Sequence, residues 1–439
     1  MKSSYKEQWL QAMKSEMKSL EEHSTWKLVD MPPGKKAVGC KWVFKIKRDP
    51  SGEIIKFKAR LVAKGFTQRP GIDCNETFAP VARKESINTV LAIAAAEDLE
   101  AENVDVDTAF LDGEVEEEIY MDQPDGFEDE GSPKKKCLLQ KVLYGKKQAA
   151  RQWNNKLSQH LDDQGFKSSA ADPYFSIKDL GDLKYCLGIE IHRKREDGTI
   201  KMNQKAYIKR FSEKFGVENC KDVHTPADRN SKLIKMGQEE AFVPKYPYRE
   251  LGYDKSHWTA AKWILKYLKT TQDLSIVLSG INKGELIGLA DANWAGDLDT
   301  RRSTTGYDFF LNGSVISWNS KRQPTVATSR TEAEYMSLYS ATQEAVWLRG
   351  LLKDLNYCAK NTTTIFQDNQ GCIALTKNPV YHSRTKHIDI KFHFLREKVA
   401  SAVIALEFKP TEEMVADRFT KALPRDKHSK FITGLCMAV

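Results

Sequence analysis

Residues 285–318 read ELIGLADANWAGDLDTRRSTTGYDFFLNGSVISW: an apolar strand, ELIGLAD, that stops on an acid, then two apolar runs joined at Asn312-Gly313. Asn-Gly between such runs signals a hairpin, because both residues accept the left-handed backbone a tight turn needs. Working outward, and counting the hairpin once, PTVATS (324–329) reads as a third strand, Thr331 to about Leu355 as a long helix, and TTTIFQD (362–368) as a fourth strand, again ending on an acid. A helical region around Lys386 to Val399, the strand VIALEFKP (403–410) and a closing helix EEMVADRFTKAL (412–423) follow. This alternation predicts an α/β domain over 281–439 built on a five-stranded mixed sheet.

Three acids, Asp291, Asp368 and Asp417, fall at element ends or faces that such a sheet can bring together. The long helix supplies a fourth. Its apolar seam is Leu338, Ala341, Ala345, Leu348 and Leu352, and Glu334 lies one helical turn before Leu338, hence on the sheet side. Glu332 points elsewhere, and Ser329-x-x-Glu332 has the form of a capping box. Four clustered carboxylates repel, and two divalent cations, Mg²⁺ or Mn²⁺ given the oxygen-only donors, supply the matching charge. Such a pair, about 3.5–4 Å apart, suits phosphodiester cleavage. Any one of these acids alone is better read as a surface or capping group; the combination is what points to chemistry.

The amino half reads differently. Trp9, Leu10, Met13, Met17 and Leu20 form one stripe of a helix, and KWVFKIKRDPSGEIIKFKARLVAKGF (41–66) is a β-hairpin turning at residues 49–52. On its second strand Ile55, Phe57, Ala59, Leu61 and Ala63 face one way. Lys56, Lys58, Arg60 and Lys64 face the other, either as a row of cations for phosphates or as a solvated face. After a helix over Ser86–Leu99, Asp105 sits among apolar strand residues, where a carboxylate is costly unless a cation meets it. It is a candidate metal ligand, with an exposed edge position as the alternative. VLYGKKQAARQW (142–153) opens an amphipathic helix, and residues 225 to about 250 read as a linker before the helix HWTAAKWILKYLKTT.

Composition sets the outer bounds. The 439 residues allow two or three domains, with 41% hydrophobic and 29% charged residues as in an ordinary globular protein. Eight cysteines lie far apart, the nearest pair being Cys358 and Cys372, so no C-x-x-C metal or redox motif exists. The longest apolar run, Val90–Ala96, is far short of the roughly 18 residues of a membrane span, and the amino end lacks a signal-peptide core. The expectation is a soluble cytoplasmic or nuclear protein without a membrane partner. Net charge is +8, which suits a polyanionic partner without demanding one.

With these residues in view, the carboxyl-terminal part resembles the ribonuclease H domain of copia-type retrotransposon Pol polyproteins. The runs that carry the likeness are LADANWAGD, RRSTTGY, SWNSKRQPTVATSRTEAEYMSL, QDNQGCIAL, RTKHIDIKFHFLRE and VADRFTKALP. The amino-terminal part is similar to the same family's reverse transcriptase through residues 41–81, DVDTAFLDGEVEEEIYMDQPDGF and LYGKKQAARQW. The resemblance implies a fingers and palm remnant over 1–224, a connecting segment over 225–280 and the ribonuclease H-like domain over 281–439. It implies that Asp291, Glu334, Asp368 and Asp417 bind the nuclease metals and that Asp105 is the first metal-binding aspartate of the polymerase. Arg60 and Gln148 fall where the family touches the incoming nucleotide, and an RNA template, DNA and an RNA:DNA hybrid are the implied partners. His387, within RTKHIDIKFHF, is a candidate for positioning substrate, with a packed or capping histidine as the competing reading. His393 is six residues further on and faces another side of a helix, which argues against a zinc pair.

The likeness breaks at one chemically decisive point. A reverse transcriptase needs a second pair of acids in Y-x-D-D, and the only Asp-Asp here, Asp162-Asp163, belongs to a helix end. ADPYFSIK instead runs straight into DLGDLKYCLGIEI, two pieces that the missing palm hairpin separates in the family. A second gap follows Tyr248-Arg249-Glu250-Leu251, and Asn293 replaces a common aspartate. The expectation is a polymerase-dead chain with a potentially active nuclease. The alternatives are a non-catalytic nucleic-acid-binding relic and an incomplete gene model that omits coding sequence of an active reverse transcriptase.

Overall fold

A computed structural model describes the chain except residues 1–4, 49–52, 66–82, 103–117, 146–148, 168, 170–182, 232, 235–254, 281–283, 358–361, 378–388 and 439. The chain divides into two compact units, one of residues 1–82 and 104–179, the other of residues 83–103 and 180–439. The sequence divisions at 224/225 and 280/281 both fall inside the second unit.

In the first unit, helix α1 (Lys6–Glu22) buries Met13, Met17 and Leu20. Leu10, expected on the same stripe, is instead exposed. Strand β1 (Trp26–Val29) is followed by the hairpin β2 (Cys40–Arg48) and β3 (Ile54–Ala63), antiparallel with Phe44 opposite Ala59. The alternation on β3 holds from Phe57 inward: Ala59, Leu61 and Ala63 are buried, whereas Ile55 projects into solvent near the turn. Helix α2 (Lys84–Ala96) belongs to the second unit. Strands β4 (Tyr120–Met121) and β5 (Lys136–Leu139) join β1 in the order β1-β5-β4, and helix α3 (Ala149–Asp163) ends with Asp162 and Asp163 exposed. The turn at Tyr144-Gly145 lies against the end of β3: the Tyr144 carbonyl accepts from Ala63 N–H at 2.8 Å. A Cβ on Gly145 (φ +88°) would fall 2.4 Å from the Ala63 carbonyl, so only glycine fits. This contact sets the Tyr144 ring under the Arg60 guanidinium, 4.6 Å away.

The second unit contains two five-stranded sheets. One comprises β6 (Tyr185–Cys186), β7 (Ile189–Lys194), β8 (Thr199–Asn203), β9 (Ser275–Ser279) and the final strand β15 (Met437–Ala438), wholly antiparallel. Helices α4 (Lys205–Phe215) and α5 (Lys255–Thr270) lie between β8 and β9 in the chain.

The other sheet is mixed, with strands β10 (Leu286–Asn293), β11 (Thr304–Leu311), β12 (Ser314–Arg322), β13 (Thr363–Gln367) and β14 (Ile404–Phe408). Their order is β12-β11-β10-β13-β14; the first three are antiparallel, and β10, β13 and β14 are mutually parallel. Helix α6 (Arg330–Asp354) lays the seam Leu338, Ala341, Ala345, Leu348 and Leu352 on one face, all of it buried. Helices α7 (Gln370–Lys377), α8 (Asp389–Ala400) and α9 (Arg425–Gly434) complete the layers.

Two expectations fail. PTVATS forms no strand: Gln323 caps the sheet edge by donating to Thr305 Oγ1 at 3.1 Å and the Ala333 carbonyl at 2.9 Å. Pro324 then removes a ladder donor, and the following residues lead into the helix cap. EEMVADRFTKAL does not close as an α-helix either, because only Val415–Phe419 coil, as a single 3₁₀ turn. That turn is pressed onto β11, where a Cβ on Gly306 would meet Thr420 Cγ2 at 2.6 Å and the Ala416 carbonyl at 3.0 Å.

Asp308, mid-strand in β11 between Leu289 and Trp318, is fully buried, and neither carboxylate oxygen has a hydrogen-bond partner among the described residues. Burial pushes its carboxyl up to about 8, against the pull of the Arg418 guanidinium. Because the unfolded carboxyl ionises near pH 4, the folded state binds one more proton between these values. It therefore loses about 1.4 kcal/mol per pH unit as pH rises through that window. Asp308→Val is expected to raise the melting temperature clearly at pH 8 and much less at pH 5, as thermal melts at the two pH values will show.

Candidate metal centre

Strands β10 and β13 run parallel with Leu289 beside Phe366, so two residues further on Asp291 and Asp368 emerge at the same sheet edge. Glu334 reaches them from the first turns of α6. One carboxylate oxygen from each of Asp291, Glu334 and Asp368 lies within 4.8 Å of the others. Asp291 and Glu334 are almost entirely buried and Asp368 is half-buried.

Each acid is held by a neutral donor. Ala292 N–H donates to Glu334 Oε2 at 2.9 Å, with Gln367 Nε2 3.4 Å from the same oxygen. Thr420 Oγ1 donates to Asp291 Oδ2, and Thr411 Oγ1 to Asp368 Oδ2 at 2.6 Å. Ser337 Oγ donates to the Asp291 carbonyl at 2.7 Å, tying α6 to β10 beneath the cluster. Glu332 is engaged elsewhere: its N–H donates to the Ser329 side chain at 3.2 Å, and its Oε2 accepts from Thr328 N–H at 2.7 Å. The choice between the two glutamates thus follows helical phase.

Asp417, in the 3₁₀ turn, is buried and close enough for its charge to raise the Asp291 carboxyl, but it is not one of the three converging groups. Its Oδ1 pairs with Lys421 Nζ at 2.5 Å and its Oδ2 with Lys427 Nζ at 2.6 Å. Asn293, in place of the family's usual aspartate, is structural: its Nδ2 donates to the Thr420 carbonyl at 2.8 Å and its Oδ1 accepts from Thr304 N–H at 2.5 Å. Sequence reasoning passed over Thr420, Lys421, Thr411 and Lys427. The first two sit inside the quoted run VADRFTKALP, and the spacing of Lys421 four residues after Asp417 was readable there. Thr411 and Lys427 arrive only through tertiary packing.

Burial first, and then the neighbouring acids, push the Glu334 carboxyl well above the ordinary range; burial and Asp417 do the same to Asp291. Like charges at this spacing in a water-poor site cost free energy that a divalent cation would return. Three hard oxygen donors without sulfur or imidazole fit Mg²⁺ or Mn²⁺. Of the other residues singled out from sequence, Lys56, Lys58 and Arg60 lie on β3 in the first unit, whereas Asp105, Gln148 and His387 lie outside the described residues.

Residues 23–174 match the family described as reverse transcriptase (RNA-dependent DNA polymerase). The chain is 38% identical to the retrovirus-related Pol polyprotein from transposon TNT 1-94 of Nicotiana tabacum, over 96% of this chain and 37% of that protein. It is 34% identical to the corresponding polyprotein from transposon RE2 of Arabidopsis thaliana, over 97% of this chain and 34% of the relative. The chain belongs to the copia-type retrotransposon Pol polyproteins. It spans little more than a third of the length of these relatives. Among solved structures, a foamy viral protease-reverse transcriptase in complex with double-stranded DNA matches 91% of this Pol chain and 69% of its own at 10% identity and a TM-score of 0.45. An LC11-RNase H1 in complex with an RNA/DNA hybrid matches 31% of this chain and 94% of its own at 16% identity and a TM-score of 0.25. Among the described residues no helix is long and apolar enough to cross a membrane.

Since the folded site holds protons that the unfolded chain releases near pH 4, the metal-free second unit should lose stability as pH rises above that value. Mg²⁺ is expected to raise the melting temperature more at pH 8 than at pH 5. Glu334→Gln should raise the metal-free melting temperature at pH 8 and abolish most of the Mg²⁺ increment, both read in the same thermal-shift series.

Proposed function

We propose that the mixed-sheet domain over 281–439, which lies within the second unit, is a ribonuclease H that hydrolyses the RNA strand of RNA:DNA hybrids with two Mg²⁺ or Mn²⁺ ions, and that the polymerase part over 1–224 is inactive. The convergence of Asp291, Glu334 and Asp368 within 4.8 Å at the edge of a mixed sheet carries the reading. Asp417, beside Asp291, is the fourth acid of the set. When bound, the ions supply Lewis-acid stabilisation of charge developing on the scissile phosphate. The protein's part is preorganisation: Thr420 and Thr411 fix the oxygens of Asp291 and Asp368, Ala292 N–H fixes Glu334, and the buried floor of α6 and β10 excludes water from behind the cluster.

Loss of polymerase activity follows from the missing Y-x-D-D. Asp162-Asp163 cannot replace it, since these residues close helix α3 in solvent. Asp105 is left as an orphan ligand on this reading. The domain limits we propose remain 1–224 for the reverse transcriptase remnant, 225–280 for the connecting segment and 281–439 for the nuclease.

Nucleic acid is the partner best suited to β2–β3 as well. Lys45 stands opposite Lys58 and Lys47 opposite Lys56, two cross-strand pairs of like charge that concentrate positive potential on the hairpin, with Glu16 near Lys58 and Arg60. Arg60, exposed and set on the Tyr144 ring, extends the row. Phosphates of an RNA template or DNA fit this face.

Purified chain with Mg²⁺ and an end-labelled hybrid is expected to cut the RNA strand, and Asp368→Asn to slow cutting by about a hundredfold or more. Equal rates for the two proteins would refute the nuclease. A primed RNA template with deoxynucleotides should give no extension. Replacing Lys56, Lys58 and Arg60 by alanine should flatten the log–log salt dependence of hybrid binding by about two units, at roughly 0.7–0.9 for each phosphate that is no longer neutralised. Salt-dependent binding without turnover in any metal would favour the non-catalytic relic.

A further inference from the structure

The fourth acid is where this site departs from a simple cage of carboxylates. Asp417 is completely buried, yet an ammonium lies against each of its oxygens: Lys427 Nζ donates to Oδ2 at 2.6 Å, and Lys421 Nζ is 2.5 Å from Oδ1 as an ion pair outside hydrogen-bond geometry. A carboxylate so paired offers a second metal ion little unless one ammonium withdraws, because two like charges cannot share one oxygen's electrostatic well at such short range.

The two lysines are not equivalent. Lys427 also donates to the Thr411 carbonyl at 3.2 Å and packs over the Phe431 ring at 5.1 Å, and 26% of its side chain meets solvent. It is built into the junction between the 3₁₀ turn and α9. Lys421 has 42% of its side chain in solvent, and its charge acts on Asp291 and Asp368 as well as on Asp417. It stands where a cation is most wanted and is the freer of the two to leave.

We propose that Lys421 is the resident counter-ion of the nuclease site, and that it makes the two metal positions unequal. The first ion is held by Asp291, Glu334 and Asp368. The second must displace the Lys421 ammonium from Asp417 into solvent, so it binds weakly until the phosphates of a hybrid add their own negative charge. Lys421 is on this account a positioning residue, acting through Asp417 and never touching the reacting atoms. The inference rests on the metal-dependent nuclease reading above and adds an order of binding to it.

Mn²⁺ titration of the full chain, with free ion counted by electron paramagnetic resonance and heats by calorimetry, separates the two claims. Without nucleic acid, wild-type protein is expected to bind one ion tightly and a second at least tenfold more weakly. Lys421→Met should tighten the second site about tenfold and leave the first within a factor of about two, while Lys421→Arg, which keeps the charge, should follow the wild type. Two ions of equal affinity in the wild type, or a second site unchanged in Lys421→Met, would overturn the counter-ion role and leave the nuclease reading standing. Wild-type protein that takes up no Mn²⁺ at all would overturn both.

Discussion

Everything in the second unit turns on repulsion among carboxylates that the backbone does not allow to separate. Parallel pairing of β10 and β13 brings Asp291 and Asp368 to one edge in register, and the phase of α6 brings Glu334 to the same point. None of these can retreat. Asp291 and Glu334 sit at the ends of elements whose apolar faces, the α6 seam above all, are buried against the sheet. Packing free energy gathered over many aliphatic side chains is in effect held as electrostatic strain in a small volume. A doubly charged ion is what would relieve that strain on the metal-site reading proposed above.

The sheet has two faces with different tasks. On one side α6 provides an apolar floor and the glutamate. On the other, the segment from Met414 to Thr420 crosses β11 over the gap left at Gly306, and this crossing delivers Thr420 to Asp291 and Asp417 to the edge of the cluster. The same layer contains a group with no evident service, Asp308, whose oxygens face no donor among the described residues. A protein can tolerate one such acid by keeping it protonated, at a cost in stability at neutral pH.

Legibility in the sequence followed the range of the interactions. Period-two runs and the Asn312-Gly313 turn read out four strand-and-hairpin elements of the mixed sheet, and period 3.6 separated Glu334 from Glu332 within one helical turn. PTVATS misled because β-branched residues and alternation were present, while the decisive features, a proline and the hydrogen bonds of Gln323, act against the ladder. The closing helix misled because its apolar spacing serves a 3₁₀ turn and a crossing chain equally well. Hidden altogether were groups brought in from a distance, Thr411 and Lys427, since no local pattern in either stretch says which carboxylate it will meet. The polymerase half was legible mainly through its omissions, Y-x-D-D above all.

The order in which the chain visits the two units has a consequence for its synthesis. It enters the second unit at residue 83, leaves it at 103 and returns at 180, so α2 is made long before the strands it packs against. Asn88 donates to the carbonyl of Ile316, 228 positions later. At ribosomal speeds of about 5–20 residues per second, that partner emerges roughly 10–45 s after the helix. β8 and β9, which α2 also packs against, are made earlier, so its alanine-rich surface is covered in stages, and the part that β12 covers waits longest, a surface of the kind that holding chaperones take up.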